Sequence, residues 1–260
     1  MIRCAYENNK NNFGDMLTPI IVEWISGEKC IHVKCNEPKK LLCIGSGMNR
    51  WIRDGDVIWG YGSRNTDQYG KIKAKEGVQF LAVRGKMTRE NILKDNPDVI
   101  VPEVYGDPAL LMPKIYKPLK VKKYRIGLIS HYIDKARFKV NDINVLNIDI
   151  QGNVYKVIDQ INSCESIIST SMHGVIVSEA YGLPVVWLQV SNRVLGGWFK
   201  FNDYFSGTGR EKQNPIKIME KIITRPDITR IKYKFLPPPN IDTTALEEAW
   251  KGCNLENIRG

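Results

Sequence analysis

The sequence lacks the patterns that mark common metal sites. Its 260 residues include six cysteines and three histidines, and no two cysteines are separated by only two residues. Without a Cys-x-x-C pair or a Cys/His block of zinc spacing, no structural zinc site is predicted. We therefore expect the cysteines to be reduced thiols, and we predict no metal ion.

The sequence also lacks a long apolar run. Its most apolar window, residues 174–190, is interrupted by Ser178, Glu179 and Pro184, so it cannot span a bilayer. No charged-then-apolar signal segment opens the chain. These two observations predict a cytoplasmic protein.

Three common catalytic signatures are missing as well. Neither the glycine-rich dinucleotide fingerprint nor the lysine-containing phosphate loop occurs, so the sequence specifies no nucleotide cofactor. A Ser/His/Asp hydrolase is conceivable because Ser169 and Ser171 lie close to His173. The absence of a G-x-S-x-G turn argues against that class of enzyme.

The composition is typical of a soluble globular protein, and it has an excess of positive charge. Hydrophobic residues make up 43% of the chain, and the net charge is +10. An excess of this size favours anionic partners, such as a phosphorylated small molecule, an anionic membrane surface or nucleic acid. Because the basic residues are spread along the chain and no nucleic-acid-binding motif occurs, nucleic acid is not predicted.

The most informative stretch is residues 168–188. A β-branched strand ends at Ser169, a helix is predicted from His173 to Tyr181, and Thr170 and Ser171 lie in the turn between them. A strand that enters a helix in this way presents unpaired backbone N–H groups and the positive end of the helix dipole. The turn is therefore a predicted anion site that carries a histidine.

Short apolar runs alternate with amphipathic helices along most of the chain, which predicts an α/β fold with parallel sheets. An Asn-rich loop at residues 8–12 leads into the first helix. Asp15 is predicted to be the N-cap of this helix, and Gly27 is predicted to end it. Residues 113–123, rich in Pro and Lys, are interpreted as a linker between two Rossmann-like domains. The predicted strands are residues 2–6, 30–33, 40–44, 57–59, 78–83, 125–130, 145–148, 166–169 and 185–188, and the predicted helices are 13–25, 87–93, 135–139, 154–164 and 173–181.

The last quarter of the chain is less regular. Residues 196–205 are predicted to form a packed irregular loop, because glycine, aromatic and polar residues alternate there without a clear period. Residues 215–223 are predicted to form a helix. Residues 243–250 are predicted to form a terminal helix that docks across the domains.

Two of the three histidines, His131 and His173, directly follow predicted parallel strands. If the strand order reverses beside the strand that ends at Ser130, this strand and the one that ends at Ser169 are neighbours. Both histidines would then share one crevice. The alternative is that they are two loop histidines with local hydrogen bonds, and metal ligation is disfavoured because no third ligand accompanies them.

Seven short motifs occur in order between residue 12 and about residue 205. Together they resemble the polysaccharide pyruvyl transferases, in particular the bacterial exopolysaccharide branch that forms ketals. The motifs are Asn12-Phe13-Gly14-Asp15-x-Leu17-x-Pro19, Gly60-Tyr61-Gly62-Ser63, Val83-Arg84-Gly85-x-x-Thr88-Arg89, Gly106-Asp107-Pro108-Ala109-Leu110, Ser130-His131-Tyr132-x-Asp134, the turn from Ser169 to Gly174 with Glu179 to Pro184, and Lys200-Phe201-x-Asp203-Tyr204-Phe205.

The resemblance implies a GT-B-like fold, with two Rossmann-like domains whose parallel sheets face a central cleft. The implied domains are residues 1–118 on the acceptor side, residues 119–225 on the phosphoenolpyruvate side, and a tail at 226–260. The implied reaction transfers the pyruvyl group of phosphoenolpyruvate to two hydroxyls of one sugar. Phosphoenolpyruvate is a substrate, so no cofactor is expected.

The same resemblance implies roles for individual residues. His173 is expected to be the acid or base that contacts the phosphate, His131 its partner, and Asp15 the carboxylate that faces the acceptor sugar. The residues expected to bind substrate are Arg84 and Lys200 for the anionic groups of the donor, Arg89 and Arg193 as their substitutes, and Ser169, Thr170, Ser171, Gly174, Asn12 and Gly14 in the flanking turns.

One departure from the family pattern concerns the anion site. Many members carry Arg-x-His where this chain has Ser171-Met172-His173. Ser171 supplies a hydrogen bond but no charge, so the cation that holds the donor must come from elsewhere in the chain.

The sequence leaves other functions open. A nucleotide-sugar-dependent GT-B glycosyltransferase would share the predicted architecture and a basic cleft. A non-catalytic protein that binds a glycan or a lipid phosphate would use the same histidines for hydrogen bonds alone. Acceptors in the resembled family are often oligosaccharides linked to polyprenyl phosphate, so the charge of +10 predicts salt-sensitive peripheral contact with an anionic membrane surface.

Overall fold

A computed structural model of the chain describes residues 1–8, 12–119 and 121–260. It contains two parallel β-sheets of five strands each, which confirms the predicted α/β class. The strands are β1 (Ile2–Cys4), β2 (Cys30–His32), β3 (Leu41–Leu42), β4 (Val57–Tyr61) and β5 (Gln79–Val83) in the first sheet, and β6 (Tyr124–Ile129), β7 (Val145–Ile148), β8 (Cys164–Ser169), β9 (Val185–Gln189) and β10 (Ile216–Lys217) in the second.

Helices connect most of these strands. The α-helices are α1 (Phe13–Ser26), α2 (Met48–Trp51), α3 (Thr66–Tyr69), α4 (Lys86–Asp95), α5 (Met112–Ile115), α6 (Val154–Asn162), α7 (Met172–Ala180), α8 (Gly197–Gly207), α9 (Arg225–Ile231) and α10 (Thr244–Lys251). Short 3-10 helices lie at Pro108–Leu111, Tyr132–Arg137 and Leu255–Asn257. Among the described residues, no helix is both long and apolar enough to cross a membrane.

The two sheets share one strand order. The first runs β2-β1-β3-β4-β5, and the second runs β7-β6-β8-β9-β10. In each sheet the chain leaves the first strand toward one edge and then returns to build toward the other. This reversal creates a crevice at the carboxyl ends of two adjacent strands, which is where open α/β sheets bind ligands.

Helix α1 shows how local sequence sets these elements. Its apolar residues Phe13, Leu17 and Ile21 recur every four positions and are fully buried. Gly27 ends the helix in the left-handed conformation, with φ of 68°, and its N–H donates to the carbonyl of Glu23. The predicted capping role of Asp15 is wrong, because the N-cap position is Asn12 and Asp15 lies one turn inside the helix.

A single apolar core joins the two sheets. It includes residues of both sheets together with buried faces of α1 and α7, as well as the 3-10 helix Pro108–Leu111. The two smaller apolar clusters each lie within one half of the chain. Because the main core crosses from one sheet to the other, it fixes the strand ends of both sheets relative to each other.

Two predictions for the last quarter of the chain are wrong. Residues 197–207 form helix α8, in which the buried residues Phe201, Tyr204 and Phe205 lie at helical spacing. Residues 215–223, predicted as a helix, contain strand β10, which extends the second sheet by pairing with β9. The predicted helix at 135–139 is also wrong, since residues 135–137 end the 3-10 helix Tyr132–Arg137 and residues 138–139 lie beyond it.

The predicted terminal helix is present as α10, and it packs against the first sheet. The Trp59 side chain donates from Nε1 to the carbonyl of Leu246 at 2.8 Å, and the rings of Trp59 and Trp250 lie 5.0 Å apart. Helix α9 was not predicted. Residues 9–11 of the predicted Asn-rich loop and residue 120 of the predicted linker lie outside the described residues, and the domain boundaries stay predictions.

Candidate active site

A cavity of about 220 Å³ lies at the carboxyl ends of the strands. Its lining comes mainly from the segments that follow β1, β3, β6 and β8, which are the two strand pairs where the order of each sheet reverses. Tyr61 at the end of β4, Arg64 shortly after it and Leu195 after β9 also line the cavity. Lys200 of α8 adds a further side chain. The polar residues in the lining are Glu7, Asn12, Asp15, Ser46, Tyr61, Arg64, His131, Tyr132, Ser171, His173 and Lys200.

The predicted proximity of the two histidines is confirmed. Strand β6 pairs with β8, with Ile129 opposite Ser169, and both His131 and His173 line the cavity. The backbone N–H of His131 donates to Thr170 Oγ1 at 2.8 Å, which ties the two strand ends together.

His131 is held as a neutral imidazole. Its burial, together with Lys200 and His173, lowers its pKa from 6.5 to about 3. The N–H of Ile133 donates to His131 Nδ1 at 3.3 Å, so the ring proton of the neutral form lies on Nε2. In the absence of a ligand His131 can therefore donate one hydrogen bond, but it carries no charge at neutral pH.

The turn before α7 is organised by its own hydroxyls. Ser169 Oγ accepts from the N–H of Ser171 and donates to its carbonyl, while Ser171 Oγ accepts from the N–H of Gly174. A Cβ at Gly174 would lie 2.5 Å from Ser169 Oγ, so glycine is needed for this packing. Of the predicted turn residues, only Ser171 and His173 line the cavity, whereas Ser169, Thr170 and Gly174 shape the turn behind it.

His173 is clamped between two residues from the first half of the chain. A Cβ at Gly14 would lie 1.8 Å from His173 Nδ1, so the ring packs directly on the glycine backbone. On the other side, His173 Nε2 lies 3.6 Å from Asp107 Oδ2. Neither of these two atoms has a hydrogen-bond partner among the described residues, and Asp107 is fully buried. The sequence indicated only a turn at Asp107, so this contact was missed.

Asp15 is a buried carboxylate beside His173. Asn12 Nδ2 donates to Asp15 Oδ2 at 2.5 Å, and the N–H of Glu7 donates to Oδ1 at 3.5 Å. Burial raises the pKa of Asp15, and His173 and the hydrogen bond from Asn12 oppose that rise. The carboxylate is thus better suited to accept a proton than an exposed aspartate.

Two cations line the cavity, Lys200 and Arg64. Burial lowers the pKa of Lys200 from 10.5 to about 7, assisted by repulsion from Arg84 and Arg64 and opposed by Asp15. The guanidinium of Arg64 lies 5.2 Å from the centroid of the Tyr69 ring. Arg64 was not predicted as a site residue, although it directly follows the Gly60-Tyr61-Gly62-Ser63 motif.

Arg84 lies behind the cavity wall and does not line it. Its guanidinium donates to Asp203 Oδ2 at 2.9 Å, to Ser46 Oγ at 2.5 Å and to the Gly45 carbonyl at 3.2 Å. Ser46 and Gly45 both belong to the lining. Arg84 therefore does not contact a ligand in the cavity directly, but it positions the loop at Gly45 and Ser46 that lines the cavity.

The other two predicted arginines also lie outside the lining. Arg89 donates from Nε to the carbonyl of Val101 at 3.0 Å and pairs with Glu103 at 3.4 Å. The Arg193 side chain is half exposed and lies 3.5 Å from Asp134 Oδ1. Neither is brought together with the two histidines.

The pKa of Lys200 leads to a prediction for anion binding. As the pH rises through about 7, the anion-free protein loses the ammonium charge of Lys200, so binding of an anion above that pH requires uptake of a proton. Sulfate keeps its charge across this range. We expect its dissociation constant to rise above pH 7 by up to about tenfold per pH unit in calorimetric titrations.

Lys200→Gln is the control for this prediction, because glutamine has no proton to lose. We expect weaker sulfate binding by this variant at pH 6 and a nearly flat dependence on pH. The same slope in both proteins would show that another group is responsible.

Comparison with known families bears directly on this cavity. A family model described as "Polysaccharide pyruvyl transferase" matches residues 29–192, which is more than half of the chain. The chain belongs to the polysaccharide pyruvyl transferase family. The match specifies no branch within that family. The matched region includes His131 and His173, whereas Asp15 and Lys200 lie outside it.

One relative extends further along the chain. A protein of Acanthamoeba polyphaga mimivirus, described as "Uncharacterized protein L143", is 29% identical over 252 residues, which cover 90% of this chain and 83% of the relative. No solved structure matches the chain.

Proposed function

We propose that this transferase moves the pyruvyl group of phosphoenolpyruvate to two hydroxyls of one sugar in a polysaccharide or its precursor. The family itself implies a polysaccharide acceptor. The observation that carries the proposal is that two cations, two histidines and a buried carboxylate share one cavity. The cations suit the phosphate and carboxylate of the donor, and the titratable groups suit proton transfer.

The reaction balances without a metal ion or a cofactor. A proton adds to the methylene carbon of phosphoenolpyruvate, and the first sugar hydroxyl attacks C2. The bond between C2 and the phosphate oxygen then breaks, and the second hydroxyl closes the ketal ring. The two hydroxyls lose two protons, of which one replaces the proton given to the new methyl group and the other is taken by the released phosphate.

The cavity contains suitable partners for each charge in this reaction. Lys200 and Arg64 hold the anionic groups, and they replace the arginine that many family members carry at the position of Ser171. A bound anion favours the ammonium form of Lys200, which reverses the effect of burial on its pKa. His131, neutral and protonated on Nε2, donates a hydrogen bond to the phosphate.

The proton transfers fall to His173 and Asp15. The carboxylate of Asp107 faces His173 Nε2 at 3.6 Å, so it can stabilise a positive charge on the imidazole ring. Asp15 lies beside His173, where a carboxylate with a raised pKa can accept a proton from a sugar hydroxyl. His173 then delivers a proton to the methylene carbon or to the departing phosphate.

The test is release of phosphate from phosphoenolpyruvate that depends on an added polysaccharide or oligosaccharide, with the ketal detected by NMR. Release that requires the acceptor supports the proposal. Consumption of a nucleotide sugar would instead indicate a glycosyltransferase. Binding of both compounds without turnover under all conditions would indicate a non-catalytic protein.

Gly14 provides a sharper test of the geometry. Replacing it with alanine places a methyl group 1.8 Å from His173 Nδ1, so the ring must move. We expect phosphate release to fall by about 100-fold, because a displacement near 1 Å costs about this much in an organised site. Gly152→Ala is the matched control, since its Cβ would lie no closer than 3.4 Å to a neighbour. Equal activity of the two variants would contradict the proposed position of the histidine.

A further inference from the structure

A second cavity, of about 260 Å³, lies directly beside the first. In the wall between them, one residue lines the first cavity and its neighbour in the sequence lines the second. Ser171 and Lys200 line the first cavity, whereas their neighbours Thr170 and Phe201 line the second. A ligand that extends beyond the first cavity can therefore reach the second.

The second cavity has a buried acceptor without a partner. Asp134 is 1% exposed, and its Oδ1 accepts from Ser191 Oγ at 2.7 Å. Its Oδ2 has no hydrogen-bond partner among the described residues. A buried carboxylate oxygen without a partner is costly, so a hydrogen-bond donor brought next to Asp134 would lower that cost. Two arginine side chains lie near Oδ1, Arg193 at 3.5 Å and Arg137 at 3.8 Å.

Four aromatic residues are among those that line the second cavity. Trp187 stacks on Phe201, with centroids 4.5 Å apart and planes 19° from parallel. Tyr69 and Trp198 also line the cavity, and 47% of Trp198 is exposed. Amide groups of Gln189 and Asn192 lie at the same cavity. Flat apolar faces beside carboxylate and amide groups suit a ring that has C–H faces and hydroxyl edges.

The two cavities differ in the charged groups that line them. The first has two cations, Lys200 and Arg64, together with the carboxylates of Glu7 and Asp15, whereas Asp134 is the one charged residue among the described residues that line the second. The charge of Asp134 is balanced by Arg193 and Arg137. The cations that suit an anionic donor therefore line the first cavity, and the second suits an uncharged ligand with hydroxyl groups.

We propose that the second cavity binds a neutral sugar residue of the acceptor glycan, next to the sugar that receives the pyruvyl group. The identification of this sugar as part of the acceptor rests on the proposed function, but the binding of a neutral sugar does not. The cavity is below the range of about 300–1,000 Å³ typical of larger ligands, which suits a single sugar ring. The site then selects acceptors by the sugar adjacent to the modified one.

The test measures binding of lactose, maltose and cellobiose to the full chain by ligand-observed NMR, without phosphoenolpyruvate. We expect at least one of them to bind, and Trp198→Ala to weaken that binding by at least tenfold. Trp24→Ala is the matched control, since Trp24 is 39% exposed and lies outside both cavities. Asp134→Asn keeps the side-chain size and is expected to weaken binding as well.

The outcomes separate the two proposals. Loss of disaccharide binding in Trp198→Ala but not in Trp24→Ala supports the second cavity, even if phosphoenolpyruvate is never consumed. Equal binding by these two variants, or no binding of any of the three disaccharides to the unaltered protein, overturns it. Absence of acceptor-dependent phosphate release bears on the proposed reaction alone. Circular dichroism of each variant checks that a loss of binding is not a loss of folding, and Asp134→Asn decides the matter if Trp198→Ala unfolds.

Discussion

Replacing His173 with glutamine is expected to lower the turnover number for phosphate release from phosphoenolpyruvate by about 10²- to 10⁴-fold, the usual contribution of a positioned acid or base. Glutamine can keep a hydrogen bond to a bound anion but cannot transfer a proton. His173 is packed on Gly14 and faces Asp107, and His131 in the same cavity has neither contact. Steady-state kinetics at saturating phosphoenolpyruvate measure this effect.

The third histidine provides the control. His32 is exposed, lies outside the cavity and has its Nε2 2.9 Å from the carbonyl of Tyr6. His32→Gln is therefore expected to retain the activity of the unaltered protein. If His173→Gln were as active as His32→Gln, the proton transfers would have to be assigned to other residues.

Replacing Asp203 with alanine is expected to lower the free energy of unfolding by about 3–5 kcal/mol, because it leaves a buried guanidinium without its counter-charge. Arg84 and Asp203 are both fully buried, and Arg84 donates to Asp203 Oδ2 at 2.9 Å. The N–H of Thr88 also donates to Asp203 Oδ1, at 2.7 Å. Burial raises the pKa of Asp203 and the Arg84 guanidinium opposes this rise, so the pair depends on both partners.

This pair connects the end of β5 in the first sheet to α8, whose Lys200 lines the cavity. Urea unfolding monitored by circular dichroism measures the loss of stability. Glu220→Ala is the control, because the exposed pair between Glu220 and Arg137 is expected to contribute about 1 kcal/mol or less. A similar loss of unfolding free energy in both variants would show that the buried pair stabilises the fold no more than the exposed pair does.

The part of the site that the sequence predicted correctly depends on strand order. His131 and His173 each follow a parallel strand, and the reversal of order in a doubly wound sheet makes those two strands neighbours. This rule needs only the periodicity of short segments. It therefore placed two residues that are 42 positions apart in one crevice without any knowledge of their contacts.

The contacts between distant segments could not be predicted. Arg84 and Asp203 are separated by 119 positions, and each motif seen alone is compatible with a ligand contact. Asp107 looked like a turn residue, and only its distance of 3.6 Å to His173 indicates another role. Arg64 has no periodic or capping signal, so its position at the cavity was equally hidden.

The errors in secondary structure have a tertiary cause. Helix α8 opens with Gly196 and Gly197, which suggest a loop, yet Phe201 and Phe205 are buried against Trp187 and stabilise a helix there. Strand β10 has only two residues, and it exists because Ile216 pairs with the edge of β9. Packing against a neighbour overrides weak local preference in both cases.

The most direct test of the central claim is a crystal structure of the protein with phosphoenolpyruvate bound. We predict the phosphate within hydrogen-bonding distance, about 2.7–3.2 Å, of Lys200 Nζ and the Arg64 guanidinium, with the reactive carbons facing His173 and Asp15. Phosphoenolpyruvate bound away from this cavity, with the two histidines left uncontacted, would contradict the account.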